Sequence, residues 1–381
     1  MAIYKIFPEK DAFMWNEQPV QNTGRDEILE ISTYNDPSVI NGNLNTLPSA
    51  TRALVKFPLS QINQVIDLVN QDSAFSQLTA SFQLYLANAS NLPQNYTLVV
   101  NAISQSWEMG TGRLADRPRT TNGVSWTYRL ASASFAEWQT SSFQANVTSS
   151  DNGIQRGGGN WFIVPSSSQT FDYTSDKDTN FDVTQMVKYW YSHSQGYLPG
   201  ESFGNEGFII RYTGSQEFNT ASIQQLSFFS MDTHTIYPPT LEFKWPDYTF
   251  NTGSSSIVNN NQFITTIGNL QEEMPENSIY RFNIYTRDQF PTRSFQTQSV
   301  YLNTKLLPTN SFWSLIDLNT EEVIIDFSNC TRLSSTPEYN YFNVYMNGLE
   351  PERYYQILIK TQIGEQEIII DNPSYYFKVV R

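Results

Sequence analysis

Apolar and aromatic residues recur at every second position over long stretches of the chain, and that period leaves little choice of fold. Ala53, Val55 and Phe57 share one face of an extended segment, as do Phe82, Leu84 and Leu86, and then Phe208, Ile210 and Tyr212. Successive side chains of a strand point to opposite sides, so this alternation marks strands with one buried face. The cadence returns near the carboxyl end in Tyr280, Phe282 and Ile284, in Phe342, Val344 and Met346, and in Tyr355, Ile357 and Ile359. Composition agrees, because 14% of the residues are aromatic and only 16% are charged, and aromatic side chains favour pleated, half-buried surfaces. The expected class is all-β.

Two segments keep a different period. Ile62, Val65, Ile66 and Val69 fall at i, i+3, i+4 and i+7 behind Ser60, and Val183, Met186, Val187 and Trp190 repeat that spacing behind Asp182. The spacing predicts two short helices, with Ser60 and Asp182 as N-caps and Asp182 with Gln185 as a capping-box-like start. Both are expected to close the ends of a sandwich.

At 381 residues the chain is long enough for more than one core. The stretch "NTGSSSIVNNNQ", 251–262, has the Gly, Ser and Asn content of a linker. A first β-sandwich is therefore expected over 1–247, a linker over 248–261, and an immunoglobulin-like β-sandwich over 262–381. Between about 110 and 180 the alternation fades, and long polar loops with short strands are expected there.

A net charge of −14, with no run of basic residues, disfavours nucleic acid as a partner. Cys330 is the one cysteine, which excludes an internal disulfide and a cysteine-based zinc site. The amino end, "MAIYKIFPEKDAF", lacks a basic region followed by an apolar run, and nowhere do about 18 apolar residues follow one another. The expectation is a protein made in a cytoplasm, with no membrane as partner. Four Asn-x-Ser/Thr matches, at Asn88, Asn95, Asn146 and Asn329, are then products of composition.

Candidate chemistry is sparse. Neither His193 nor His234 has a second ligand at metal-binding spacing. Cys330 has no base nominated for it. Carboxylate pairs such as Glu108 with Asp116, or Asp172 with Asp176, would serve glycoside hydrolysis only if held across a groove. No catalytic set and no organic cofactor is expected. Calcium is the one ion with a motif: "TSDKDTNFD" puts Asp176, Asp178 and Asn180 at alternate positions, like the first ligands of a calcium loop, although the glycine and closing glutamate of that loop are absent. Trp126, Trp138 and Trp161 lie in the loop-rich region, where exposed indoles would suit a surface glycan or serve as interface anchors. In the second domain, "NSFWSLIDL" and "NPSYYFKVV" place Phe312 beside Trp313 and Tyr375 beside Tyr376. Alternation must turn one of each pair outward, and these four are the expected interface residues.

"WEMGTGRLADRP", 107–118, carries two closely spaced glycines, yet the Lys-Ser/Thr pair of a phosphate-cradling loop and a helix start behind it are both missing. The segments "KDAFMWNEQPVQNTGRDEILEIST", "RALVKFPLSQI", "ASFQLYLAN", "SWEMGTGR", "FDVTQMVKYWYS", "NEGFIIRY" and "PPTLEFKW", in that order over residues 10–245, resemble the DNRLRE family of jelly-roll-like β-sandwich modules. That family is found in bacterial surface proteins and phage particles. The resemblance implies that Trp107 packs down and that the glycines after it permit positive φ. The second part, through "GLEPERYYQILIK" and "YYFKVVR", resembles the carboxyl-terminal domain of virion structural proteins of tailed phages, notably of marine cyanobacteria. Together these imply a non-enzymatic structural component of a virion, at the head surface, neck or tail. Its partners would be other virion proteins, met in several copies on a symmetric assembly. The alternative from another class is a carbohydrate- or receptor-binding module of a phage fibre or surface protein.

Overall fold

The structure, a computed structural model, describes residues 2–34, 39–40, 43–44, 49–93, 95–131, 135–139, 146–149, 157–172, 174–197, 203–218, 224–291 and 304–381. It is all-β, with two α-helices, Leu59–Gln71 and Thr184–Ser194, among the described residues. Neither helix is long and apolar enough to cross a membrane.

Strand Ser49–Lys56 shows why the alternation becomes a sheet. Ala53 pairs across to Phe13 of Lys10–Trp15 and to Ile210 of Phe208–Tyr212, so the strand has neighbours on either side and its backbone groups are matched. Around it runs a nine-stranded sheet in the order Val147–Ser149, Asn160–Asp172, Asn95–Ile103, Phe208–Tyr212, Ser49–Lys56, Ile28–Tyr34, Gln224–Phe229, Leu86–Ser90, with Lys10–Trp15 also on Ser49–Lys56. Phe82 and Leu84 share their face as the pattern requires, but Leu86 leaves it. The chain breaks at Tyr85, and Leu86 opens a separate strand against Gln224–Phe229. Asn160–Asp172 is a 13-residue strand where short strands are expected. Its polar run Ser166–Thr170 faces Thr97–Asn101 of the neighbouring strand, so backbone pairing holds it despite the weak hydrophobic signal.

Both helical stripes are buried, Ile62, Val65, Ile66 and Val69 in one helix and Met186, Val187 and Trp190 in the other. Their starts differ from the expectation. The first helix begins at Leu59, which makes Ser60 its second residue. In the second, Val183 is the flanking residue and Asp182 stands one position earlier. The Asp182 side chain still accepts from Thr184 N at 3.0 Å, so it satisfies a first-turn donor.

The chain divides into two compact units: Ile6–Ile66 with Thr79–Glu242, and Met1–Lys5 with Asp67–Leu78 and Phe243–Arg381. The second unit, called carboxyl-terminal below, is therefore discontinuous in sequence. Ile3 lies in its core, and Trp245 Nε1 donates to Asp72 Oδ2 at 2.8 Å. Residues 248–261, expected as a linker, are built into this unit. Asn251 N donates to Ser335 Oγ at 2.9 Å, Ser256–Ile257 pairs with Lys305–Leu306, and Val258 is buried. Small polar residues suit a linker by composition, but here their backbone groups find partners.

Two sheets face each other in the carboxyl-terminal unit. One holds Ser256–Ile257, Lys305–Leu306, Ile279–Asp288, Asn340–Tyr345 and Ser334–Ser335, with Phe263–Ile267 also on Ile279–Asp288. The other runs Glu273–Pro275, Gln366–Val380, Tyr354–Ile363, Ser311–Asp317 and Val323–Ile325. Phe282, Ile284, Phe342 and Val344 of the first meet Trp313, Leu315, Ile357, Ile359 and Phe377 of the second in one core. Trp313 stacks on Phe342 with centroids 4.7 Å apart. Replacing Trp313 by Ala should cost about 3–5 kcal/mol, read as a lower denaturation midpoint of the full chain with an unchanged slope. A loss below about 1 kcal/mol would contradict this placement.

Candidate functional site

The loop that follows Trp107 is built around Asn22. Its amide donates to Met109 O at 2.7 Å and Val124 O at 2.8 Å, and its carbonyl accepts from Gly112 N at 2.7 Å and Gly24 N at 3.3 Å. All four hydrogen-bonding positions of the side chain are used, and the residue is fully buried. Gly110 has φ +80, and a Cβ there would lie 2.3 Å from Asn22 Oδ1, so the glycine is demanded by this contact. Trp107 is buried, donates to Glu206 O at 2.8 Å, and lies under the Lys10 ammonium at 4.3 Å. The Trp107 loop is a packed turn in which the Gly112 amide is directed at Asn22, that of Thr111 at Asn122 and that of Arg113 at Asp116.

Trp126, Trp138 and Trp161 are not exposed. Their exposures are 2%, 3% and 5%, and together with Trp107, Met14, Leu54, Ile103 and Ile209 they form a core beneath the loops. The expected glycan platform at these three indoles is thereby corrected. The reason is Arg52, which points from the centre of Ser49–Lys56 into this core and is itself fully buried. Its guanidinium lies 4.8 Å from the Trp126 ring, 5.1 Å from Trp161 and 5.9 Å from Phe218. Arg52 Nε donates to Glu217 Oε1 at 2.6 Å, and Nη1 donates to Gly158 O. Arg211 lies over Trp161 as well, at 4.4 Å, and 3.8 Å from the other Glu217 oxygen. Burial brings the Arg211 guanidinium down to about 10, with Glu217 opposing the shift. The indoles cover two cations, and in this place they are not free to meet a ligand.

The glycines of "RGGGNW" answer to the same group. Gly157, Gly158 and Gly159 all have positive φ, and a Cβ on Gly158 would stand 2.6 Å from Arg52 Nη1 and 2.7 Å from the Trp126 ring. The stretch 150–156 before them lies outside the described residues. Neither Asn22 nor Arg52 is singled out by sequence. The nearest signal for Arg52 is that Ala50 and Leu54 share its face, which makes that side of the strand partly apolar.

The acids of the calcium motif make local bonds. Asp178 Oδ1 accepts from Leu86 N at 2.7 Å, Asp176 Oδ1 accepts from Asp178 N at 3.3 Å, and Asn180 sits exposed on strand Thr179–Asp182. Asp176 and Asp178 precede that strand, and one oxygen of each carboxylate is taken up by a backbone amide. Among the described residues no group of three His, Cys, Asp or Glu could hold a metal. Asp116 and Asp172, considered for paired-carboxylate chemistry, stabilise their own turns by accepting from Thr120 and from Thr174 and Ser175.

Of the four expected interface residues, Trp313 and Tyr375 face inward. Tyr375 is buried and donates to Thr265 O at 2.7 Å. Phe312 and Tyr376 face outward and are half-buried, Phe312 near Lys360 and Arg332, and Tyr376 near Tyr354 at 6.3 Å. The pairwise argument holds, while Trp313 and Tyr375 drop out as contacts.

No family model matches the chain, and no curated protein matches it. Among solved structures, the adhesin domain of Epf from Streptococcus pyogenes is similar at 8% identity over 98% of each chain, with a TM-score of 0.14. A likeness at that score carries no argument about fold or function.

Two tests follow from the buried charges. Glu217→Gln leaves two buried guanidinium groups without a counter-charge and should destabilise the chain by about 3–5 kcal/mol, whereas a surface variant such as Glu365→Gln should stay within about 0.5 kcal/mol. Equal losses in chemical denaturation would refute the burial argument. Asp11, buried and accepting from Met231 N at 2.7 Å, is pushed up to about 8 by desolvation first, with Asp232 adding to the rise; Asp26 is pushed up to about 6. A carboxyl raised in the folded state stabilises it at low pH, and that contribution fades as pH climbs from about 4 to about 8. Asp11→Asn keeps an acceptor for Met231 N and should flatten this decline, exceeding the parent stability by about 1 kcal/mol or more near pH 9. Parallel stability profiles for the two proteins would contradict it.

Proposed function

We propose that the chain is a non-enzymatic structural component of a tailed bacteriophage virion, at the head surface, neck or tail, acting through protein–protein interfaces in several copies. The observation that carries this reading is a set of apolar side chains held exposed on ordered strands. Ile163 and Val164 stand on a bulge in Asn160–Asp172, at exposures of 50% and 60%. Asn146 clamps that bulge: Ile163 N donates to Asn146 O at 2.8 Å, Val164 N donates to Asn146 Oδ1 at 3.0 Å, and Asn146 Nδ2 donates to Val164 O. In the carboxyl-terminal unit, Ile279, Val323 and Ile369 stand out from strands in the same way. Apolar groups fixed on rigid backbone lose little freedom when a partner covers them, which suits repeated assembly contacts. The resemblances to DNRLRE modules and to tailed-phage virion proteins support the kind of assembly. Repeated copies on a symmetric particle would present the same knob many times.

The rival reading, a carbohydrate- or receptor-binding module centred on Trp126, Trp138 and Trp161, loses those residues to the core. In the phage that encodes this chain, purified particles should contain it by mass spectrometry, and a paired Ile163→Ser, Val164→Ser variant should be incorporated at least about threefold less while melting normally. Particles without the chain, or a variant incorporated at the parent level, would count against the reading.

A further inference from the structure

We propose that the carboxyl-terminal unit carries a saccharide-binding site on the outer face of Phe263–Ile267 and Ile279–Asp288, selective for a single sugar ring bearing a carboxylate. It rests on residues that the assembly reading does not use. Cross-strand register sets Thr266 opposite Tyr285 and Ile264 opposite Arg287, and these four point away from the core shared by Ile267 and Ile284. Gly268 follows directly. A Cβ on it would lie 2.4 Å from Tyr285 Cε2, so the missing side chain lets the tyrosine ring lie down on the strand. Tyr339 supports the ring from the side, with centroids 5.5 Å apart and planes at 57°. The outer part of Tyr285 remains 41% exposed.

Beside this ring is a depression of about 200 Å³, lined by Ile264, Thr266, Tyr285, Thr286, Arg287 and Thr304. It is smaller than the ~300–1,000 Å³ of sites for drug-sized ligands, which limits it to one ring. Thr286 alternates with Tyr285 and Arg287 and so faces the core beside Ile284, at 2% exposure; the outward side chains of the depression are those of Ile264, Thr266, Tyr285 and Arg287. Arg287 Nη1 donates to Asp288 O at 3.3 Å, and among the described residues no carboxylate pairs with its guanidinium. That fork matches a carboxylate with two parallel bonds. Since the chain carries a net charge of −14, long-range attraction does not favour an acidic ligand. Selectivity for the acid therefore comes from the Arg287 contact itself. The apolar C–H face of a pyranose covers the Tyr285 ring, as apolar groups do on aromatic surfaces.

The test uses the full chain with glucuronic acid and glucose as probes, followed by saturation-transfer NMR. Glucuronate should bind in the millimolar range and glucose about tenfold more weakly. Tyr285→Ala should weaken glucuronate at least about tenfold and Tyr285→Phe should not, while Arg287→Gln should reduce glucuronate to the level of glucose. Thermal unfolding at the parent temperature confirms that each variant is folded. Absence of saturable binding to either sugar, equal affinity for both, or unchanged binding by Tyr285→Ala would overturn the proposal and leave the assembly reading standing on its own residues.

Discussion

A buried guanidinium organises the larger unit. Arg52 sits on a strand with neighbours on both sides, and its charge would be intolerable in an apolar core by itself. Three separate segments answer it: Glu217 with an ion pair, Gly158 with a carbonyl and Trp161 with a ring face, and Trp126 with another ring face. Each comes from a loop or strand end far away in sequence. The charge thus ties the loop-rich region to the sheet, and the tryptophans that look available for a ligand are recruited to cover it.

The same demand explains local backbone that otherwise looks arbitrary. Three consecutive glycines with positive φ bring a carbonyl to Arg52 where any Cβ would collide. Asn22 plays the corresponding part for the Trp107 loop, because only a side chain with two donors and two acceptors can close four backbone groups at once. Loops made in this way are rigid without regular hydrogen-bond ladders.

The carboxyl-terminal unit distributes its aromatics differently. Trp313, Phe342, Phe282 and Phe377 fill the space between two sheets with Tyr355 and Tyr375, and Tyr285, Tyr354 and Tyr376 take the outer faces, where a ring can meet apolar surface while its hydroxyl stays in water. Tyr341 accepts the Arg281 guanidinium at 4.3 Å, and Tyr285 lies over a glycine. Outward rings here are positioned by neighbours, in contrast to the indoles of the larger unit, which are enclosed.

Much of the fold was legible in the sequence, because period-two and period-3.6 patterns are properties of the local backbone. The strands through Ala53, Ile210, Phe282 and Ile357 and the buried stripes of both helices follow from residue order alone. So does the rule that Phe312 and Trp313, or Tyr375 and Tyr376, must part to opposite faces. Which member goes inward was decided by the facing sheet, whose Phe342 offers Trp313 a stacking surface and whose Thr265 offers Tyr375 an acceptor. Periodicity likewise assigned Arg52 to the face opposite Ala53 but could not tell that this face is covered too. That cover comes from residues more than 70 positions away in the chain, among them Trp126 and Glu217, and no local pattern encodes a contact made by tertiary folding. The carboxylates of Asp176 and Asp178 are likewise engaged by backbone amides, that of Asp178 by Leu86 N, more than 90 positions away in the chain.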